Sequence, residues 1–195
     1  MSTAQMKQVP SRGINQSLIE RGVGLILKGL GVDLEDQNYL ETPERVGKLY
    51  AEMFQREDTE YSTFEETDAD IVIMKDHRMW TLCPHHLLPV ELFVSMAYLP
   101  NGSVLGLSKL IRVLNSVNRG PLLQERFTRE ALEYLHKVLP GLKGAGVLVR
   151  GQHHCTKIRG VQSDASFTTY KFTGAMKQER ELQDRFFRLL QGGSR

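Results

Sequence analysis

Two short clusters carry the residue types best suited to chemistry: Cys83-Pro84-His85-His86 and, far downstream, His153-His154-Cys155. Together they contain both cysteines of the chain and four of its six histidines. Thiolate sulfur and neutral imidazole are preferred zinc ligands, and a catalytic zinc takes three protein ligands and keeps a fourth position for water. Cys83, His86 and Cys155 make such a set. His85 and His153 then stand beside the metal as proton carriers, because imidazole donates and accepts near neutral pH. Spacing alone leaves two other arrangements open. His85, His153 or His154 could complete a four-ligand structural zinc, or Cys83 could join Cys155 in a disulfide, which suits a small secreted chain better than one of this size.

A second constellation is suited to anions. Ser108 is expected to cap a helix, with Lys109 in its first turn and Arg112 one turn on. Free N–H groups and the dipole at a helix start favour negative charge. Cations there oppose the dipole, and a bound phosphate removes that conflict; the plain alternative is a solvated basic face. Arg45 and Lys48 repeat the arrangement, three apart on one predicted helix, and a solvated face is again the alternative. Arg159, four residues after Cys155, is expected on a strand, pointing to the same side as that cysteine. Gln124-Glu125 open a further helix. A carboxylate accepts two parallel hydrogen bonds from an N–H/NH2 edge such as guanine's, or simply complements the helix dipole.

The chain of 195 residues is 41% hydrophobic and 25% charged, with a net charge of +2. That is ordinary for a globular protein with one substantial core, and the charge is too mild to argue for nucleic acid or an anionic membrane. No apolar run approaches the roughly 20 residues that cross a bilayer. Residues 1–13 are expected to be a flexible arm without the apolar stretch of a signal peptide. A single domain is expected over 14–195, with N-terminal helices over 14–56 and a core over about 70–191. Two cysteines committed to a metal fit a reducing cytoplasm.

Helical spacing of apolar residues predicts a helix from Asn15 to Leu30, and Thr42-Pro43 predicts the start of another. Residues 57–68 read as an acidic loop. Ile71 to Met74 and Val90 to Leu99 read as strands, with Pro100-Asn101-Gly102 turning into a hairpin partner at Val104 to Gly106. Helices follow over Ser108 to Asn118 and Leu123 to Leu139. Strands are expected over Gly146 to Arg150, Thr156 to Val161 and Ser166 to Gly174, and a last amphipathic helix ends at Gly192-Gly193. Strands and helices in separate blocks imply α+β with an antiparallel sheet.

These motifs, in this order, resemble the GTP cyclohydrolase I family over about Val32 to Leu190. The family's C-E-H-H stands as Cys83-Pro84-His85-His86, and its G-L-S-K-x-x-R as Gly106 to Arg112. Its Q-E-R-L-T stands as Gln124 to Thr128, its H-x-C-x-x-x-R-G as His153 to Gly160, and its T-P-x-R-V-x-K as Thr42 to Lys48. The resemblance implies zinc on Cys83, His86 and Cys155, with His85 and His153 as proton-transfer groups. It implies triphosphate contacts from Ser108, Lys109, Arg112 and Arg159, and from Arg45 and Lys48 of a neighbouring subunit. Gln124 and Glu125 would hold the guanine edge. The implied fold is the tunnelling fold, an antiparallel sheet with two long helices on one face. The implied assembly is a decamer of two pentameric rings, with active sites at subunit boundaries. The implied reaction is zinc-dependent hydrolysis of GTP to formate and 7,8-dihydroneopterin triphosphate, the first step of pterin and tetrahydrofolate biosynthesis. A tunnelling-fold relative that binds a purine or pterin with altered chemistry is the alternative. Pro84 stands where the family has glutamate, Leu92-Phe93 where it often has Gly-Lys, Leu122 where it has glutamine, and Gly120 where it has a basic residue.

Overall fold

The computed structural model describes residues 13–54 and 60–192, so all of the expected N-terminal arm but Gly13 lies outside the described residues. The chain divides into two compact units, Met1–Gln55 and Arg56–Arg195. In the first, α1 (Gln16–Gly29) is capped by Asn15, whose side chain accepts from the Leu18 N–H, as a helix start requires. Gly31 then leaves the helix with φ +76°. Helix α2 (Thr42–Phe54) takes Pro43 into its first turn, where the missing N–H has no helical partner to lose.

The second unit is built on a four-stranded antiparallel sheet in the order β2-β3-β5-β6. The strands are β2 (Val72–Leu82), β3 (Pro89–Leu99), β5 (Gly144–His153) and β6 (Ser166–Thr173). Most of β3 and β5 is buried, which fits their continuous apolar runs and central places. Strand β6 is mostly exposed, as its polar residues demand at an edge. Helices α3 (Leu107–Val117) and α4 (Gln124–Val138) supply Leu110, Leu114, Phe127, Leu132 and Leu135 to one core with Leu92, Val94, Met96 and Tyr98 of β3 and Val147 and Val149 of β5. The alternate residues Ala97 and Leu99 join Phe172, Met176 and Phe186 in a second core, served by α6 (Gly174–Gln178) and α7 (Arg180–Gln191). This period-two split is what places α3 and α4 together over one face. The architecture is the α+β tunnelling-fold arrangement that the resemblance implies.

Several elements depart from the sequence-based expectations. Strand β2 is longer than predicted. Its polar middle hides the pattern, and a bulge between Met74 and His77 puts Asp76 at φ +47°, its N–H donating to Ser95 Oγ at 3.0 Å. The turn at Gly102 forms, but β4 (Ser103–Leu105) pairs with β1 (Thr63–Glu65) instead of hairpinning onto β3. Strand β1 falls in the stretch expected to be loop, of which residues 57–59 lie outside the described residues. The predicted strand over Thr156 to Val161 does not exist: the chain turns through α5 (His154–Lys157). The final helix region is α6 followed by α7, and its expected last residue, Gly193, lies outside the described residues.

Candidate active site

Strand register brings the two clusters together. Leu82 pairs with Pro89 between β2 and β3, and Val90 pairs with His153 between β3 and β5. Cys83 and Cys155 therefore leave the sheet at the same end, from strands that flank β3. The loop after β2 is tight: the Cys83 N–H donates to the Leu88 carbonyl, and the Leu87 N–H to that of Cys83, each at 2.9 Å. Pro84 suits this turn, since its fixed φ favours the bend and neither bond needs its missing N–H.

The ligand atoms of Cys83, His86 and Cys155 lie within 4.8 Å of one another. Cys83 Sγ is 3.8 Å from His86 Nδ1. A tetrahedral ion with bonds of about 2.0–2.3 Å separates its ligand atoms by roughly 3.3–3.8 Å, so the Cys83–His86 spacing fits a shared metal ion, with Cys155 close enough to complete the set. Both cysteines are free thiols, Cys83 buried and Cys155 half-buried. Burial, and then the neighbouring Cys83, push the Cys155 thiol above its usual pKa. Two sulfurs side by side resist ionising together, and a bound cation reverses that preference.

His85 is exposed in the same loop, its Nδ1 3.9 Å from Cys83 Sγ. His153, at the end of β5, donates from Nε2 to Gln124 Oε1 at 2.8 Å and meets the Phe167 ring edge-on at 5.6 Å. Burial pushes its imidazole below the usual pKa, and the charge of nearby Glu125 opposes this. His154 turns elsewhere, donating from Nδ1 to the Pro89 carbonyl at 3.1 Å.

Glu125 is exposed in the first turn of α4. Helix α3 begins two residues earlier than a cap at Ser108 predicts. Its N-cap is Gly106, so Ser108 is the second residue of the helix and caps nothing. The Gly106 N–H is held by the Ser62 carbonyl at 3.1 Å, and the Lys109 N–H donates back to the Gly106 carbonyl at 2.7 Å, which starts the helix at Leu107. Ser108 and Lys109 still lie in the first turn, with Arg112 one turn on. Arg159 follows α5, not a strand. Its guanidinium still reaches the metal-ligand cluster, Nη1 donating to His86 Nε2. Arg45 and Lys48 lie on α2 in the first unit, paired with Glu41 and Glu44 at 2.6 Å each.

Of the departures noted in the sequence, Leu92 is a fully buried core residue and Phe93 lies under the Arg150 guanidinium at 6.0 Å. The Leu122 N–H donates to the Leu82 carbonyl at 3.2 Å, tying the approach to α4 to the end of β2. Sequence reasoning did not single out Gly151, Phe167 or Thr169, which surround Gln124 and His153. No local motif marks them; only the β5–β6 register places them there. Among the described residues, no helix is long and apolar enough to cross a membrane.

The chain is similar to known proteins along most of its length. The family model for GTP cyclohydrolase I matches residues 19–191. A GTP cyclohydrolase 1 of Enterococcus faecalis is 38% identical over 178 residues, 88% of this chain and 95% of its own length. That of a Sulfurihydrogenibium species is 36% identical over 180 residues, 91% of this chain and 96% of its own. Among solved structures, the archaeosine synthase QueF-Like in the apo form gives a TM-score of 0.46 at 19% identity, over 56% of this chain and 98% of its own. The family model spans all five motifs, from Thr42 to Gly160, and on that basis the chain belongs to the GTP cyclohydrolase I family.

Proposed function

We propose that this protein hydrolyses GTP to formate and 7,8-dihydroneopterin triphosphate, with zinc held by Cys83, His86 and Cys155. The observation that carries this reading is the convergence of Cys83 and His86, from the loop after β2, with Cys155 of α5, their ligand atoms within 4.8 Å of one another. Two sulfurs and an imidazole suit zinc among the common divalent ions. Zinc bound there supplies water activated for attack near neutral pH.

The chain's own residues supply the rest. Glu125 accepts the N–H/NH2 edge of guanine, which adenine lacks, and so orients the base. Ser108, Lys109, Arg112 and Arg159 hold the triphosphate with first-turn N–H groups and cations. His153 carries protons at Nδ1, since its Nε2–H is engaged by Gln124. Exposed His85 exchanges protons with solvent as the imidazole ring opens and formate leaves. Arg45 and Lys48 reach the triphosphate of a neighbouring subunit. The sheet ends in β2 and β6, whose outer edges have no partner strand among the described residues. Head-to-tail pairing of such edges closes a ring, in keeping with pentamers stacked as a decamer. The reducing cytoplasm keeps the two thiols available to the metal.

The test is direct. Zinc-loaded protein incubated with GTP should release formate and a fluorescent pterin in equal amounts. Release of ammonia in place of formate, or binding without turnover, would replace this reading with a purine-binding relative of altered chemistry.

A further inference from the structure

Gln124 opens α4, yet only 5% of its surface is exposed. Its amide nitrogen faces three oxygens: the Val149 carbonyl at 3.0 Å, the Phe167 carbonyl at 3.0 Å and Thr169 Oγ1 at 3.2 Å. Two of these are backbone carbonyls, which only accept, so turning the amide over would set oxygen against oxygen. Oε1 is thereby committed to the His153 side, 2.8 Å from Nε2. An amide oxygen also only accepts, so Nε2 must carry the hydrogen. The lone pair of the neutral ring then sits on Nδ1.

The hydroxyls follow the same ordering. Thr128 Oγ1 donates to the Gln124 carbonyl at 2.8 Å. In its 2.6 Å bond to Thr169, Thr128 must therefore accept, which leaves a Thr169 lone pair for the Gln124 amide. The backbone of β5 makes room for the arrangement. A Cβ at Gly151 would lie 2.1 Å from Gln124 Oε1 and 3.1 Å from His153 Nε2.

We propose that Gln124 is a positioning residue that locks the ring and tautomer of His153, so that Nδ1 is the atom that handles protons. This deepens the cyclohydrolase reading and rests on it for the reaction served. It also reassigns Gln124, which the resemblance puts on the guanine edge. The amide has its donors and acceptor engaged inside the protein, and a base contact would break buried hydrogen bonds. Guanine recognition then falls to Glu125.

The test compares Gln124→Leu, His153→Ala and the double variant as full-length, metal-loaded protein, by formate release from GTP. Gln124→Leu should lower kcat about 10- to 100-fold, a share of what acid–base catalysis contributes, and leave KM within about twofold. The double variant should be no slower than His153→Ala, because the two side chains act as one unit. A raised KM at unchanged kcat, or losses that multiply, would overturn the proposal and return Gln124 to the substrate. If Gln124→Leu does not fold, Gly151→Ala displaces the same oxygen with the glutamine retained. A folded Gly151→Ala variant with unaltered kcat would also overturn it.

A second readout needs no turnover. With imidazole-15N histidine, the wild-type signal that His153→Ala removes should be the Nε2–H tautomer, and Gln124→Leu should shift it toward a mixture. An Nδ1–H signal in the wild type would refute the lock. No formate from a wild type that shows the Nε2–H tautomer would sink the proposed reaction and leave the positioning role standing.

Discussion

Arg159 donates from its guanidinium Nη1 to Nε2 of His86, joining the turn after α5 to the loop after β2. This links a candidate triphosphate contact to a candidate metal ligand. A neutral imidazole has one N–H and one lone pair. Once the lone pair goes to a metal, the other nitrogen bears the hydrogen and can no longer accept from Arg159. If His86 ligates a metal through Nδ1, metal binding and this hydrogen bond exclude each other, and metal loading would free Arg159 for a phosphate. Arg159→Ala should tighten zinc binding about fivefold, the equivalent of roughly 1 kcal/mol for one solvent-exposed charged contact. Competition against a chelator of known affinity measures it, and unchanged or weaker zinc binding would count against the exclusion.

Glu125 is assigned to the guanine edge by the chemistry of its carboxylate in the first turn of α4. Glu125→Gln keeps the size and removes the charge and one of the paired acceptors. It should lower kcat/KM for GTP about 10- to 100-fold, the range for a charged hydrogen bond of roughly 1.5–3 kcal/mol. It should also narrow the preference for GTP over inosine triphosphate, whose base lacks the 2-amino group. Equal losses on both nucleotides would place Glu125 outside base recognition.

Arg45 and Lys48 lie on α2 of the first unit, each in an ion pair with a glutamate one turn away. If they complete a neighbour's site, two defective chains can repair each other. Cys155→Ala chains and Arg45→Ala/Lys48→Ala chains should each be nearly inactive. Mixed in equal parts and reassembled, they should regain activity at about a quarter of the sites, where the intact parts meet. Zero recovery from a mixed oligomer of verified composition would place the whole site within one chain.

Tyr98 is fully buried in β3, and its hydroxyl accepts the Leu105 N–H at 2.8 Å. It anchors β4, which leads into α3 and so to Ser108 and Lys109. Tyr98→Phe strands that buried N–H and should destabilise the protein by about 1–3 kcal/mol. Thermal or denaturant unfolding of the assembled protein would register this, and a variant as stable as the wild type would show that Leu105 finds another acceptor.

What could be read without a structure, and what could not, divides along the range of the interactions. Helices α1, α3 and α4 were legible because helical spacing and breaking residues act over a few positions. Asn15 and Gly31 mark the ends of the first, and Gly120-Pro121 separates the other two. The length of β2 was not legible, because its bulge at Asp76 is held from another strand, by Ser95. The strand expected after Cys155 failed for a similar reason. Its residues suit a strand, but β6 already occupies the edge of β5, and the chain turns through α5 instead.

The same division holds at the site. Side-chain chemistry belongs to each residue alone, so candidate thiolate and imidazole ligands, candidate phosphate-binding cations and a candidate base-reading carboxylate could be named from residue type, spacing and motif order. Which atoms meet is a matter of register and packing between segments far apart in the chain. Only the pairing of Leu82 with Pro89 and of Val90 with His153 brings Cys83 and Cys155 to one end of the sheet. Only the packing of α4 against β5 and β6 turns Gln124 from a presumed substrate contact into the partner of His153. Such pairings form when distant stretches bury apolar surface together, and no short window of residues contains them.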